Sequence, residues 1–196
     1  MIQINEWSRP AFKIKGIKAI VMHWVGGPGQ TAQSVYNYFN DAVNHQRYGS
    51  AHYAIGVKGD VLQCIPDDEV AYHVGHANQK DPASGQFYTD KARELFGIAG
   101  CNPKTRGPND WCLGIELCHP EMREGAFSAD TIQAAIKLAA DLCAQYKLDP
   151  QKHILRHHDV VGWKDCPRYW VKYSAFFDAF KIDVLNRMIG NLEDLR

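Results

Sequence analysis

The chain has 196 residues, the length of one ordinary domain with room for a substantial apolar core. Its 22 Lys and Arg residues balance its 22 Asp and Glu residues, so no basic surplus favours nucleic acid or a membrane surface as a partner. Hydrophobic residues make up 45% of the sequence, which excludes an intrinsically disordered chain.

The first third of the chain predicts an arm, a strand, a helix and a hairpin. Residues 1–15 are expected to form an arm or edge segment. Residues 17–23 are almost wholly apolar, as a central strand would be. A helix is predicted over 31–44, because apolar residues recur on one face and a threonine can cap the first turn. Residues 52–57 and 61–65 flank a Lys-Gly-Asp turn, a pattern typical of a β-hairpin.

A long connection follows over residues 74–110, which are rich in Gly, Pro, Asn, Asp and Lys. Only residues 89–96 have a helical pattern. A connection of this length inside a compact domain usually has a function, such as binding a ligand. We therefore expect it to form one wall of a substrate groove.

The remaining elements complete an alternation of strands and helices. They are a strand over 111–118, a strong helix over 128–146 ended by Asp149-Pro150, a short strand over 153–155, a loop carrying potential metal ligands, and an amphipathic helix over 173–189 stopped by Gly190. This order predicts an α/β fold in which helices flank a mixed central sheet. We expect residues 1–196 to form a single domain, with its core at about 17–170.

Potential metal ligands gather in residues 156–167, which hold imidazole, thiol, carboxylate and ammonium groups. His157, His158 and Cys166 lie in this segment, and His23 ends the first predicted strand. Two histidines and one cysteine make a three-ligand zinc set, which leaves the fourth tetrahedral position to water, as in catalytic zinc sites. The residues alone leave open which of the two adjacent histidines is the second ligand.

The six cysteines lie far apart and include no Cys-x-x-Cys pair, so a zinc ribbon is excluded. The first residues lack the basic start and apolar run of a signal peptide, and no stretch reaches the roughly 18 apolar residues of a membrane span. We therefore expect a chain that is made in the cytoplasm without a membrane span or disulfides. We also expect it to be a monomer.

Five motifs occur in an order that is typical of one enzyme family. They are a strand ending in His23-Trp24, Ser50-Ala51-His52-Tyr53, Ala71-Tyr72-His73-Val74-Gly75, Gly114-Ile115-Glu116, and His157 followed by Lys164-Asp165-Cys166-Pro167. Together they resemble the zinc-dependent N-acetylmuramoyl-L-alanine amidases of the amidase-2 family. That family includes many phage endolysins and is related to animal peptidoglycan recognition proteins.

The resemblance implies cleavage of the amide between the lactyl group of N-acetylmuramic acid and L-alanine, with peptidoglycan or a muropeptide as substrate. It implies Zn²⁺ held by His23, His157 and Cys166. It also places Glu116 at the catalytic glutamate of the bacterial and phage branch, and Lys164 at a cationic residue beside the metal. An unpaired carboxylate within an apolar strand is costly, which separately marks Glu116.

The choice of His157 rests on alignment rather than on spacing. The family usually places its second histidine eight positions before the cysteine, where this chain has His158. Choosing His157 aligns Asp159 and Gly162 with the family pattern and makes Trp163 an extra residue. The resemblance therefore favours His157 as the ligand.

Two further expectations follow from the motifs. Ala51 stands where another branch of the family carries a catalytic tyrosine, so a tyrosine mechanism is not expected and more weight falls on Glu116. His73, which directly follows an aromatic residue, is expected to line the cleft and bind substrate. The wall formed by residues 74–110 is expected to contact the stem peptide rather than the sugar.

Two other functions compete with a zinc amidase. One is a non-catalytic peptidoglycan-binding module on the same fold, which would typically have lost the cysteine. The other is a cysteine hydrolase that pairs Cys166 with His157 or His158. The adjacent Pro167 and the distant His23 fit metal binding better. Zinc content and sensitivity to chelators would separate the three.

Overall fold

The computed structural model describes residues 1–98 and 107–193. One mixed sheet forms its centre, as predicted. Its strands are β1 (Ala19–Trp24), β2 (Tyr53–Ile55), β3 (Val61–Gln63), β4 (Cys112–Leu117) and β5 (Ile154–Arg156). They lie in the order β3-β2-β4-β1-β5; β2 and β3 form the antiparallel hairpin, and the other neighbours are parallel.

Helices connect and cover these strands. They are α1 (Ala32–Asn40), α2 (Ala42–His45), α3 (Asp90–Phe96), a 3₁₀ turn (Gly107–Asp110), α4 (Ala129–Tyr146), α5 (Pro150–His153), α6 (His157–Val161), α7 (Arg168–Lys172) and α8 (Ser174–Glu193). The side-chain oxygens of Thr31, Thr89 and Ser128 each accept the backbone N–H three residues on, so they cap α1, α3 and α4. Such a cap stabilises a helix by about 1 kcal/mol.

Four local predictions were wrong. The helix predicted over 31–44 is interrupted at Asp41, whose type favours local side-chain bonding over helix continuity. Asp149-Pro150 was expected only to end the preceding helix, but Asp149 caps a further short helix, α5, and Pro150 begins it. The first position of a helix accepts proline because its N–H would have no partner within the helix. The ligand segment was predicted as a loop but contains α6. Gly190 does not stop α8, because a glycine inside a helix only weakens it, by about 1 kcal/mol.

The two faces of the sheet differ in the size of their side chains. One face is covered by α4 and α8, and its large apolar residues form the main core. They include Ile20, Met22, Leu113, Ile115, Leu117 and Ile154. The opposite face carries small residues, among them Ala19, Ala54, Cys112 and Gly114. Loops and short helices can therefore approach this second face closely.

The N-terminal arm is part of the folded unit. Ile2 is fully buried, and its N–H donates to the carbonyl of Cys64 in the sheet region. Arg9 makes a bidentate ion pair with Glu69, with N–O distances of 2.7 and 2.9 Å, in a site where both side chains are largely buried. The predicted arm is therefore anchored against the residues that follow β3.

Candidate active site

The carboxyl ends of β1, β4 and β5 meet on the small-residue face of the sheet. His23 is the fifth residue of β1, and Glu116 lies opposite it in the register of β4. His157 directly follows β5, the neighbour of β1 on its other side. Because paired residues in parallel strands project to the same face, His23 and Glu116 point the same way, and the pairing of Met22 with Arg156 brings the next residue, His157, beside them. Ligand sites in open α/β sheets characteristically lie at such carboxyl ends.

His23, His157 and Cys166 form a buried donor cluster whose ligand atoms all lie within 4.8 Å of one another. His23 Nδ1 is 3.1 Å from His157 Nδ1 and 3.8 Å from Cys166 Sγ. Zinc–nitrogen and zinc–sulfur bonds of about 2.05 and 2.3 Å place tetrahedral ligands about 3.3 Å (N to N) and about 3.6 Å (N to S) apart. The spacing and chemistry of these three donors therefore fit a zinc ion.

The protonation of the donors suits a metal site. Burial, together with the nearby His157 and His73, holds the pKa of His23 well below its usual value. Burial and the cationic Lys164 lower the pKa of His157 to about 3. Both imidazoles are therefore neutral and can donate a lone pair. Burial and the neighbouring Glu116 raise the pKa of Cys166 to about 12, so metal binding must displace the thiol proton.

His73 determines which nitrogen of His23 faces the cluster. His73 Nε2 lies 3.3 Å from the carbonyl oxygen of Cys112, which can only accept a hydrogen bond. His73 Nδ1 is then the acceptor, and His23 Nε2–H donates to it at 2.9 Å. This leaves His23 Nδ1 without a proton, so that its lone pair is available to a metal.

Gly114 makes room for His73. A Cβ at Gly114 would lie 2.5 Å from His73 Cγ and 2.7 Å from His73 Nδ1, closer than side-chain atoms can approach. His73 is only 7% exposed, and both of its nitrogens are bonded within the protein. His73 lines the cavity, but its hydrogen bonds are those of a residue that orients His23. Direct binding of substrate by His73 stays a prediction.

Glu116 borders the cavity beside the donor cluster. The side chain retains some exposure to the cavity, but its Oε2 is sealed and has no hydrogen-bond partner among the described residues. Burial raises the pKa of Glu116 to about 8, although the positive charge of Lys164 opposes the shift. A carboxylate with a raised pKa and a vacant oxygen is suited to exchange a proton near neutral pH.

His158 braces the loop that carries Cys166. Its backbone N–H donates to the carbonyl of Cys166 at 3.0 Å, and its ring Nδ1 donates to the carbonyl of Lys164 at 3.1 Å. The ring lines a separate surface pocket that also includes Asp81. The structure therefore places His157, and not His158, against His23 and Cys166.

The donor cluster lies in a cavity of about 790 Å³, within the range of ligand sites. Lys164 is exposed and lines this cavity. A second recess of about 380 Å³, bordered by Trp24 and Tyr38, shares Glu116 with it. The long connection contributes only Gly75, Ala77 and Asn109 among its described residues, whereas residues 81–84 line the separate pocket beside His158. Residues 99–106 of the connection lie outside the described part.

A family model described as N-acetylmuramoyl-L-alanine amidase (Amidase_2) matches residues 13–169. The chain belongs to this amidase family. The curated relatives include N-acetylmuramoyl-L-alanine amidase BlyA of Bacillus subtilis, which is 33% identical over 189 residues. They also include a probable N-acetylmuramoyl-L-alanine amidase of Bacillus licheniformis, 34% identical over 181 residues. These alignments cover 96% and 92% of this chain, but only 47% and 44% of the relatives. The chain thus spans about half their length.

Solved structures share the fold of this amidase-family chain. The catalytic domain of XlyA superposes with a TM-score of 0.64 at 20% identity, covering 94% of this chain and 95% of that chain. PlyL superposes with a TM-score of 0.62 at 19% identity, covering 90% and 87%. Among the described residues of this family member, no helix is both long and apolar enough to cross a bilayer.

Ala51, at the position of another branch's tyrosine, is fully buried in the apolar cluster beneath α1 and offers no catalytic group. The described cysteines are free and buried; they are Cys64, Cys112, Cys118, Cys143 and Cys166. Sequence reasoning missed Tyr48, which lines the cavity, and Trp7, which packs against it.

Proposed function

We propose that this domain is a zinc-dependent N-acetylmuramoyl-L-alanine amidase, which hydrolyses the amide between N-acetylmuramic acid and L-alanine in peptidoglycan. The observation that carries the proposal is the buried His23, His157 and Cys166 cluster, whose spacing fits tetrahedral zinc, beside the vacant carboxylate oxygen of Glu116. Membership of the amidase family supports the same reaction and substrate.

The residues of the site divide the chemistry between them. Bound zinc would supply an activated water and a polarised carbonyl. Glu116 accepts the proton of the attacking water and returns it to the leaving amine, the two halves of general acid–base catalysis. Lys164 lines the same cavity and donates a hydrogen bond to the oxyanion that develops on the carbonyl. His73 keeps His23 in the tautomer that can bind the metal.

The competing functions fit this site less well. A catalytic cysteine needs an accessible thiol with a lowered pKa. Cys166 is 2% exposed, and burial raises its pKa to about 12, which argues against a cysteine hydrolase. A pure binding module would need neither the complete donor cluster nor a buried carboxylate beside it. Both features favour an enzyme.

We propose that the catalytic domain extends over the whole chain and acts as a monomer. Phe177, Phe180 and Val184 of α8 pack into the main core, which supports counting the last helix as part of the domain. The donor cluster, Glu116 and Lys164 meet within a single copy of the chain, which supports a monomeric catalyst.

The role of Glu116 tests the proposal directly. Glu116→Gln keeps the shape of the side chain but removes the proton acceptor. It should bind zinc stoichiometrically while turnover of peptidoglycan falls on the order of 10² to 10⁴-fold. Glu94→Gln, an exposed glutamate on α3, is the matched control and should retain full turnover. Near-normal turnover of Glu116→Gln would refute the proposed base.

A further inference from the structure

Aromatic side chains form a corner at one end of the cavity that holds the donor cluster. Tyr48 and Tyr72 line this end, and Tyr48 is 64% exposed. Their ring centroids are 5.5 Å apart with the planes at 89°, and Trp7 packs against Tyr48 from the N-terminal arm at 4.7 Å. We call Trp7, Tyr48 and Tyr72 the aromatic corner.

Backbone hydrogen bonds hold the aromatic corner in place. The N–H of Gly49 donates to the carbonyl of Trp7 at 3.1 Å, which ties the arm to the segment carrying Tyr48. The N–H of Tyr72 donates to Ser50 Oγ at 2.9 Å, and the N–H of Ser50 donates to the carbonyl of Tyr72 at 3.0 Å. A rigid set of rings loses little conformational entropy when a ligand binds.

The other lining residues that are close in sequence to these rings or to the 3₁₀ turn carry no charge. They are Gly49, Ser50, Gly75, Ala77 and Asn109. Outside the donor cluster, the charged residues of the cavity lining are Glu116 and Lys164, which interact electrostatically with Cys166 and His23. A stem peptide carries carboxylates, whereas an N-acetylated hexose within a glycan strand has no charged group at its ring. The neutral aromatic corner therefore suits the uncharged sugar better than the charged peptide.

The chemistry of the rings points to the same ligand. One face of a hexopyranose presents several C–H groups, which are apolar and carry a small positive charge. The face of a tyrosine ring is apolar and partly negative, so the two surfaces attract each other and exclude water. Two rings at a right angle contact such a sugar on its face and along its edge.

We propose that the aromatic corner is the binding site for the glycan strand on the N-acetylmuramic acid side of the scissile amide. This inference rests on the proposed amidase function. The matched family region begins at residue 13, so Trp7 belongs to a part of the chain outside it. The N-terminal arm thus contributes to substrate binding as well as to the fold. On this proposal Gly75, Ala77 and Asn109 lie beside the sugar, while contact of the wall over 74–110 with the stem peptide stays a prediction.

Binding of the two halves of the substrate tests the inference. The probes are the peptide-free disaccharide N-acetylglucosaminyl-N-acetylmuramic acid and the sugar-free stem peptide, each titrated calorimetrically into zinc-loaded protein. Tyr48→Ala should weaken disaccharide binding about tenfold, and should leave peptide binding unchanged. Tyr48→Phe keeps the ring and should bind the disaccharide nearly as the unmodified protein does. Tyr38→Ala removes an exposed tyrosine at the second recess and should leave disaccharide binding unchanged.

Three results would contradict the assignment of the aromatic corner to the glycan strand. Unchanged disaccharide affinity in Tyr48→Ala, or a loss confined to the peptide, would overturn the glycan assignment. So would the absence of measurable disaccharide binding by the unmodified protein at millimolar concentration. Failure of the amidase function itself would be recognised independently, because zinc-loaded unmodified protein would then release no L-alanine amino termini from peptidoglycan.

Discussion

Replacing His73 with phenylalanine would remove the hydrogen-bond acceptor of His23 while retaining an aromatic ring of similar size. His23 is 2% exposed, so its Nε2–H would lose a 2.9 Å hydrogen bond in a site that water reaches poorly. An unsatisfied buried donor costs about 1–3 kcal/mol. The ring can avoid that cost by moving its proton to Nδ1, but this tautomer cannot bind a metal through Nδ1. Either outcome lowers zinc affinity.

The expected loss in His73→Phe is about 10- to 100-fold in zinc affinity, as is usual when a residue that orients a metal ligand is removed. Competition with a chromophoric chelator at fixed pH measures this loss without relying on turnover. His153→Phe is the control, because the ring of that partly buried histidine accepts the N–H of Asp149 at 2.8 Å and lies outside the cavity lining. It should bind zinc as the unmodified protein does.

Gly114→Ala provides an independent perturbation of the same contact. Its new Cβ would lie 2.5 Å from His73 Cγ, so the ring would have to retreat by most of an ångström to reach ordinary contact. That movement would break the hydrogen bond to His23 although every metal ligand remains. Zinc affinity should fall in the same direction as in His73→Phe. Zinc binding as tight as in the unmodified protein, in both variants, would refute this account of His73.

Three further predictions concern the ligands, the base and the fold. Cys166→Ser and His157→Ala should no longer hold one zinc per chain by metal analysis, whereas His158→Ala should retain it; the opposite pattern for the two histidines would contradict the proposed ligand set. In metal-free protein, the pKa of Glu116 is raised from 4.5 to about 8, so the folded state holds a proton that the unfolded state releases. Stability should therefore decrease as pH rises from 4.5 through about 8. The difference between the two pKa values corresponds to about 5 kcal/mol, and this is an upper limit because the side chain borders the cavity. Glu116→Gln should remove that decrease in urea titrations, and an unchanged pH dependence would refute it. Ser128→Ala removes the cap of α4 and should lower the free energy of unfolding by about 1 kcal/mol; no change in urea midpoint would show that the cap is dispensable.

The mixed sheet could be predicted because its strands have local signals. The apolar run that ends at His23 and the alternation of large and small residues before Glu116 both identify strands next to the site. Likewise, the cap at Ser128 and the apolar spacing after it correctly predicted α4. These features depend on residues near one another in the chain, so a single sequence contains them.

Other features depend on contacts between distant residues and could not be predicted in this way. The hydrogen bond between His23 and His73 joins positions 50 residues apart, and its direction depends on the carbonyl of Cys112. The helix at His157 was predicted as loop, although Asp159, which accepts the N–H of Arg156, was a local signal for its start. The aromatic corner combines three separate segments of the chain, and no local pattern indicates their meeting.

Analysis of the products from purified peptidoglycan tests the central claim most directly. Zinc-loaded protein should generate stem peptides with a free L-alanine amino terminus and glycan strands with free lactyl carboxylates, identified by mass spectrometry. Chelation should abolish this cleavage, and added zinc should restore it, while Glu116→Gln should show only a small residual rate. Cleavage at another bond, or full L-alanine release after zinc removal, would contradict the zinc-amidase account.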